Sequence, residues 1–127
     1  MMVGSGSKQR VGERGEDLAV AELQQQGMEI VARNWRCRTG EIDIVATEQV
    51  DGRRTLVFIE VKCRTGLGFG HPLEAITWAK IRKLRQLAAE WMAVHQVQAA
   101  GIRLDAIGVV LRPGKPPELT HVKAVGA

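Results

Sequence analysis

Apolar positions recur with a period near 3.6 from Val11 to about Gln26 and again from Thr77 to about Gln96, whereas the stretches between and after them hold short apolar runs rich in β-branched residues, the one from Met28 to Arg36 alternating poorly. The first pattern predicts helices. In the leading helix Gly12, Glu16, Ala19, Val20 and Leu23 share a side, so a carboxylate falls on an apolar stripe, and Gly27 supplies the stop. In the second, Thr77 is the expected N-cap and Ile81, Leu84, Leu87, Ala88, Trp91 and Val94 trace the buried stripe. Pro72 to Ile76, just ahead of it, suits a single helical turn.

Strands are predicted from Met28 to Arg36, from Glu41 to about Thr47, from Thr55 to Arg64, from Ile102 to Leu111, and, as an edge strand, from Leu119 to Val125. Asp51-Gly52 is a hairpin turn signal between the second and third. Ile42 and Ile44 are expected to form the buried face of the second strand. In the third, Val57, Ile59 and Val61 line one side; the other begins apolar with Leu56 and Phe58 and turns polar at Glu60 and Lys62. A half-solvated strand would be polar on that face throughout. This one reads as a buried strand that opens into a site at its C-terminal end. Asp105 is expected near the edge of the fourth strand. The glycine-spaced loop from Thr65 to Pro72 lacks the Gly-Lys-Ser/Thr of a phosphate-cradling P-loop, and its His71 reads as structural or solvent-facing.

With 127 residues, 45% hydrophobic and 25% charged, the chain suits one domain over 11–127, with 1–10 as a flexible N-terminal arm. No apolar run reaches the roughly 18 residues of a membrane span, and the start lacks a signal core, so a cytoplasmic protein is expected. Cys37 and Cys63 are too isolated for a zinc site and are expected as reduced thiols. A net charge of +4 favours polyanionic partners only in concert with other signs. Arg33, Arg36 and Arg38 cluster ahead of the acidic strand, either as a solvated edge or as phosphate contacts. Lys80, Arg82, Lys83 and Arg85 crowd the start of the second helix, where the dipole disfavours them; an outside anion or a merely solvated face accounts for that. Aromatic residues, at 4%, are too few for the stacking surface of a single-strand binder.

The chemistry lies in the second and third strands. If they pair as a hairpin, Glu41, Asp43 and Glu60 converge, with Lys62 beside Glu60. Two like charges about 4 Å apart repel by roughly 4 kcal/mol at an effective dielectric near 20, so such a cluster takes up a proton or a cation. Oxygen donors suit a hard ion, Mg²⁺ with Mn²⁺ as a substitute. Water held by such an ion can attack a phosphodiester, and Lys62 is placed to orient it and to offset negative charge. The bland reading of Glu60 and Lys62 is an exposed ion pair; it leaves Leu56 and Phe58 on the same face unexplained.

Glu-x-Asp on one strand, followed by a hydrophobic strand ending Ile59-Glu60-Val61-Lys62, resembles the PD-(D/E)xK nuclease superfamily. The series Gly12-Glu13-Arg14-Gly15-Glu16, Arg33-Asn34-Trp35-Arg36, Gly40-Glu41-Ile42-Asp43, Phe58 to Arg64, Pro72-Leu73-Glu74-Ala75 and Leu104-Asp105 resembles the bacterial YraN family over nearly the whole chain. The resemblance implies an α/β, three-layer, restriction-endonuclease-like fold: a central mixed β-sheet flanked by helices. It implies Asp43 and Glu60 as metal ligands, Lys62 as the catalytic lysine, and Glu16 as the first-helix acid seen in members similar to archaeal Holliday-junction resolvases. Ile42 stands where the superfamily name has proline, and Glu41 is a further site residue without an assigned role.

The functional expectation is a metal-dependent nuclease with Glu16, Asp43 and Glu60 around Mg²⁺, acting on DNA or RNA with DNA favoured, and with branched or structured DNA among its candidate substrates. Arg33, Arg36, Arg38, Lys80, Arg82 and Lys83 are its candidate nucleic-acid contacts. A homodimer is common in that superfamily. The alternatives are a binding module of the same fold, for nucleic acid or protein, and a hydrolase of smaller phosphate esters.

Overall fold

A computed structural model describes residues 3–68 and 70–126, with side chains described from Arg10 onward. Helix α1 spans Val3–Gln25, strand β1 Glu29–Cys37, β2 Gly40–Val50 and β3 Arg53–Arg64; a 3₁₀ turn covers Pro72–Ala75, helix α2 Trp78–His95, β4 Gly101–Val110 and β5 Glu118–Val122. The strands form one sheet in the order β1-β2-β3-β4-β5. Among the described residues only the β3–β4 pair is parallel; α2 makes the crossover that a parallel pair requires.

Each helix covers one face. Ala19 and Leu23 of α1 pack with Ile44, Ala46, Val57, Ile59, Ile107 and Val109, while Ile81, Leu84, Leu87, Ala88 and Trp91 of α2 pack with Val45, Leu56, Phe58 and Leu104. Alternate residues of β3 thus feed two cores, and the result is the three-layer α/β arrangement, in keeping with a restriction-endonuclease-like fold. Burying a side chain such as Phe58 or Leu23 fully is worth about 1.5–3 kcal/mol relative to exposure.

Local chemistry explains the element ends. Gly27, at φ +89°, ends α1 in a Schellman motif: the Met28 amide donates to the Leu23 carbonyl and the Gly27 amide to that of Gln24. Asp51 and Gly52, at φ +51° and +76°, make the two-residue primed turn that pairs Val50 with Arg53. Thr77 caps α2, its Oγ1 accepting from the Lys80 amide. His71 likewise caps the 3₁₀ turn, its Nδ1 accepting from the Leu73 amide at 3.2 Å.

Four expectations change. Helix α1 begins at Val3, so residues 3–10 of the expected arm carry its first turns, while Met1 and Met2, like Phe69 in the glycine-spaced loop, lie outside the described residues. Val94 is 67% exposed, because the last turn of α2 runs past the sheet it covers. Asp105 is 1% exposed within an inner strand rather than near an edge. Ile42 and Ile44 do not share a face: Ile42 packs under α2 and Ile44 under α1. The pleat breaks between them at Asp43, across from Asn34, which takes a left-handed φ of +54°.

Candidate active site

The break in β2 builds the site. Backbone pairing between β2 and β3 runs up to Ile44 opposite Ile59 and then stops. One residue on, the Asp43 Oδ2 accepts from the Val61 amide at 2.8 Å, so a side-chain carboxylate takes over from the backbone ladder. The strands part there, and Glu60 follows Ile59 into the opening.

Asp43 sits in a field of carboxylates. Burial pushes its pKa up to about 7, with the charge of Glu60 next and smaller contributions from Glu16 and Glu41, against which the Val61 hydrogen bond works. An acid so placed is a common mark of a functional site, since desolvation and like charge both oppose its ionisation.

Lys62 lies on the same face as Glu60, its Nζ 3.4 Å from Glu60 Oε1. Lys80, from the first turn of α2, stands near enough that Lys62 is the largest cause of its lowered pKa, while Glu60 pulls the other way. Glu41, Glu60, Lys80 and Lys83 line one groove of about 170 Å³ against α2. Two of the four basic residues at the start of α2, Lys80 and Lys83, thus face a carboxylate groove. Arg82 is exposed outside that lining.

Glu16 approaches from α1. Its side chain is nearly buried, and its Oε1 accepts from Arg33 Nε at 3.1 Å and Asn34 Nδ2 at 2.9 Å. The left-handed turn at Asn34 thus also anchors the helix acid. Arg33 bonds Asp17 as well, at 2.6 Å, so its guanidinium is held within the fold. Arg36 pairs with Glu41 at 3.2 Å, and Arg38 is exposed at the end of the β1–β2 hairpin. The helix reaches this position because Gly15 has no Cβ: one added there would overlap the Cβ and Sγ of Cys63 on β3.

Among the described residues no three carboxylate, imidazole or thiol groups stand close enough together to grip one ion. Glu16 is turned towards Arg33, and Asp43 towards the Val61 amide. The donor chemistry nevertheless fits a hard divalent ion held by one or two carboxylates and its own waters, because a cation beside Asp43 and Glu60 offsets the repulsion that raises Asp43.

A second charged cluster was missed from the sequence. Arg103 Nε and Nη2 grip Asp105 at 2.8 and 3.0 Å, His121 Nε2 lies 2.8 Å from Asp105 Oδ2, and the Ala124 amide donates to Oδ1 at 3.1 Å. Glu48 closes it, 2.7 Å from Arg103 Nη1 and 3.3 Å from Lys123 Nζ. The signal was a lone Asp in an apolar run with an Arg two residues earlier, hence on the same face; a buried carboxylate needs such partners.

All of the β2, β3 and α2 groups above, and Glu16, lie within residues 15–109, which match the model of "Uncharacterised protein family UPF0102". The chain belongs to that family, the YraN family. Among UPF0102 relatives, a protein of Nocardia farcinica is 48% identical over 120 residues, covering 94% of this chain and 91% of its own length. One from Mycobacterium marinum is 47% identical, with 94% and 97% covered. One from Mycolicibacterium smegmatis is 44% identical over 126 residues, with 99% and 100% covered. Each is named only as a UPF0102 protein, so the family fixes kinship and not an activity. No helix among the described residues is long and apolar enough to cross a membrane.

Proposed function

We propose that this chain is a metal-dependent phosphodiesterase acting on nucleic acid, with DNA as the preferred substrate. The observation that carries the reading is Asp43, raised to about 7 by burial and by Glu60 at the point where β2 and β3 part, with Lys62 against Glu60. Asp43 and Glu60 would hold Mg²⁺, or Mn²⁺ in its place, with Glu16 behind them. When bound, the ion supplies positive charge to the scissile phosphate and lowers the pKa of water.

The chain's own groups do the rest. Lys62, held near Glu60, orients the attacking water and offsets charge as it grows on the phosphate oxygens. Lys80 and Lys83 attract the phosphate into the groove, and the nearby Lys62 makes Lys80 a less basic, more readily neutralised cation. Arg33 and Asn34 fix the Glu16 carboxylate. Arg38 and Arg82 stand exposed as outer phosphate contacts, whereas Arg33 and Arg36 reach a phosphate only by leaving Glu16, Asp17 and Glu41.

Incubation with linear, single-stranded and branched DNA and with RNA, in Mg²⁺, Mn²⁺ or EDTA, tests the reading. Cleavage that needs the metal and falls by about 10²-fold or more in Glu60→Ala and Lys62→Ala is expected. Absence of any metal-dependent product sensitive to both changes refutes it. One rival is a binding module of the same fold, favoured by the way Glu16 is engaged by Arg33 and Asn34 and Asp43 by the Val61 amide. That rival requires salt-sensitive binding that survives Glu60→Ala, without cleavage.

A further inference from the structure

A second groove, of about 770 Å³, opens where α1, the end of β3 and the turn after β4 meet. Its walls carry Arg10 and Arg14 from α1 and Arg112 and Lys115 from the turn, over a floor that includes Val11 and Leu111; among the described residues no carboxylate lines it. Arg10 and Arg14 are four residues apart and so project from one side of the helix. Arg112 is braced by an ion pair with Glu118, and the turn itself is tied to β3 by the Leu111 amide, which donates to the Arg64 carbonyl at 2.8 Å. Four cations from two separate elements meet here against one paired carboxylate, Glu118, which leaves a positive excess that suits an anion. Neither the hydrophobic pattern nor the acidic motif indicated this groove, because residues 10–14 and 112–115 meet only in the fold.

We propose that this groove binds the phosphodiester backbone of a polynucleotide whose neighbouring phosphates lie at Glu60 and Lys62. The inference rests on the nucleic-acid half of the reading above. Its support is continuity. Thr65, which lines the groove, is three residues past Lys62 on β3, a span of about 10 Å at strand rise, or roughly three phosphates along one strand of a duplex. Gly15 packs closely on Cys63 of β3 and the charge of Arg14 acts on the Cys63 thiol, so Arg14 lies on the α1 side of β3 while Lys80 lies with Glu60 on the other. A backbone passing the C-terminal end of β3 meets cations from both helix layers. Charge excess and contour length favour a polyanion over a single small anion, which would occupy a fraction of the groove.

The test is anisotropy titration of a labelled DNA duplex of about 20 base pairs in EDTA, at about 50 to 200 mM salt. Wild type is compared with Arg10→Glu/Lys115→Glu and with Arg53→Glu/Arg54→Glu, a control reversal of equal charge at the far end of β3. The groove reversal is expected to weaken binding about tenfold or more and to make the slope of log K against log salt shallower by about 2. The neutral pair Arg10→Gln/Lys115→Gln is expected to show a smaller loss of the same sign, and thermal unfolding identifies any variant that has lost its fold. Equal loss in the control reversal, or no loss in the groove variants, overturns the proposal. Cleavage in Mg²⁺ separates the two readings: groove-dependent binding without cleavage sinks the phosphodiesterase and leaves the groove, whereas wild-type rates of binding and cleavage in the reversal sink the groove alone.

Discussion

Asp43→Asn is the most telling single change. Asparagine keeps an oxygen for the Val61 amide and removes the charge that Glu60, Glu16 and Glu41 oppose. In the folded chain Asp43 titrates at about 7 against an ordinary 3.8. Between those values the folded state holds a proton that the unfolded chain has released, so stability falls as pH rises through the window, is complete below about 4 and is lost above about 7. A shift of about three units at 1.36 kcal/mol each amounts to about 4 kcal/mol, a large share of the 5–15 kcal/mol typical of a domain.

Urea unfolding in EDTA at steps from pH 5 to 8 measures it. Histidines and other groups titrate in both proteins, so the informative quantity is the difference between wild type and Asp43→Asn. The variant is expected to gain on wild type by about 3 kcal/mol between pH 5 and pH 7 or above. Adding Mg²⁺ at pH 8 is expected to restore wild type and not the variant, by RT ln(1 + [Mg²⁺]/Kd). A difference that does not move with pH refutes the electrostatic account of the site, whatever the cleavage assays give.

Two further changes probe how the site is held. Gly15→Ala is expected to destabilise by about 1–3 kcal/mol through overlap with Cys63, while Gly12→Ala, with open space around it, stabilises by about 0.5–1 kcal/mol; chemical denaturation of the pair checks both signs. Asp105→Ala leaves Arg103 and His121 facing an empty buried position and is expected to cost about 3–5 kcal/mol of unfolding free energy, measured by urea denaturation. Its partners hold Asp105 below the usual carboxylate range, so that stabilisation is present above about pH 4 and fades as pH falls through the depressed value, a loss visible in acid unfolding.

The elements and their order were readable because each carries a local cause: the 3.6-residue stripe of α2, the Asp51-Gly52 turn, the Gly27 stop, the apolar-to-polar change along β3. The family resemblance pointed to Glu16, and its burial agrees with its place on an apolar stripe. What escaped reading depends on partners far away in sequence. Arg33 looked like a phosphate contact because nothing near it announces Glu16 and Asp17, 17 and 16 positions earlier. Asp105 looked like an edge residue because Glu48 and His121, which complete its network, lie on other strands. Face assignment in β2 failed for a different reason: counting by twos assumes an unbroken pleat, and between Ile42 and Ile44 the pleat of β2 is broken.

That break has consequences for how the site can work at all. In a regular β2, Asp43 would face one helix layer only. Glu16 belongs to the α1 layer and the Glu60–Lys62 pair to the α2 side, so the two sets would be divided by the sheet. At the break, Asp43 feels both, and the acids of both layers raise it. Asn34 lies across from the break with a left-handed backbone and bonds Glu16, and two substitutions separate these features. Asn34→Gly and Asn34→Val both lose the 2.9 Å bond to Glu16, but only valine resists the left-handed backbone, at a cost of about 1–2 kcal/mol. If the broken pleat is what assembles the site, Asn34→Gly retains the pH-dependent difference between Asp43 and its asparagine variant, whereas Asn34→Val is less stable and reduces it. Equal stability and equal pH dependence in the two would mean that the backbone at Asn34 is incidental and that Glu16 alone positions Asp43.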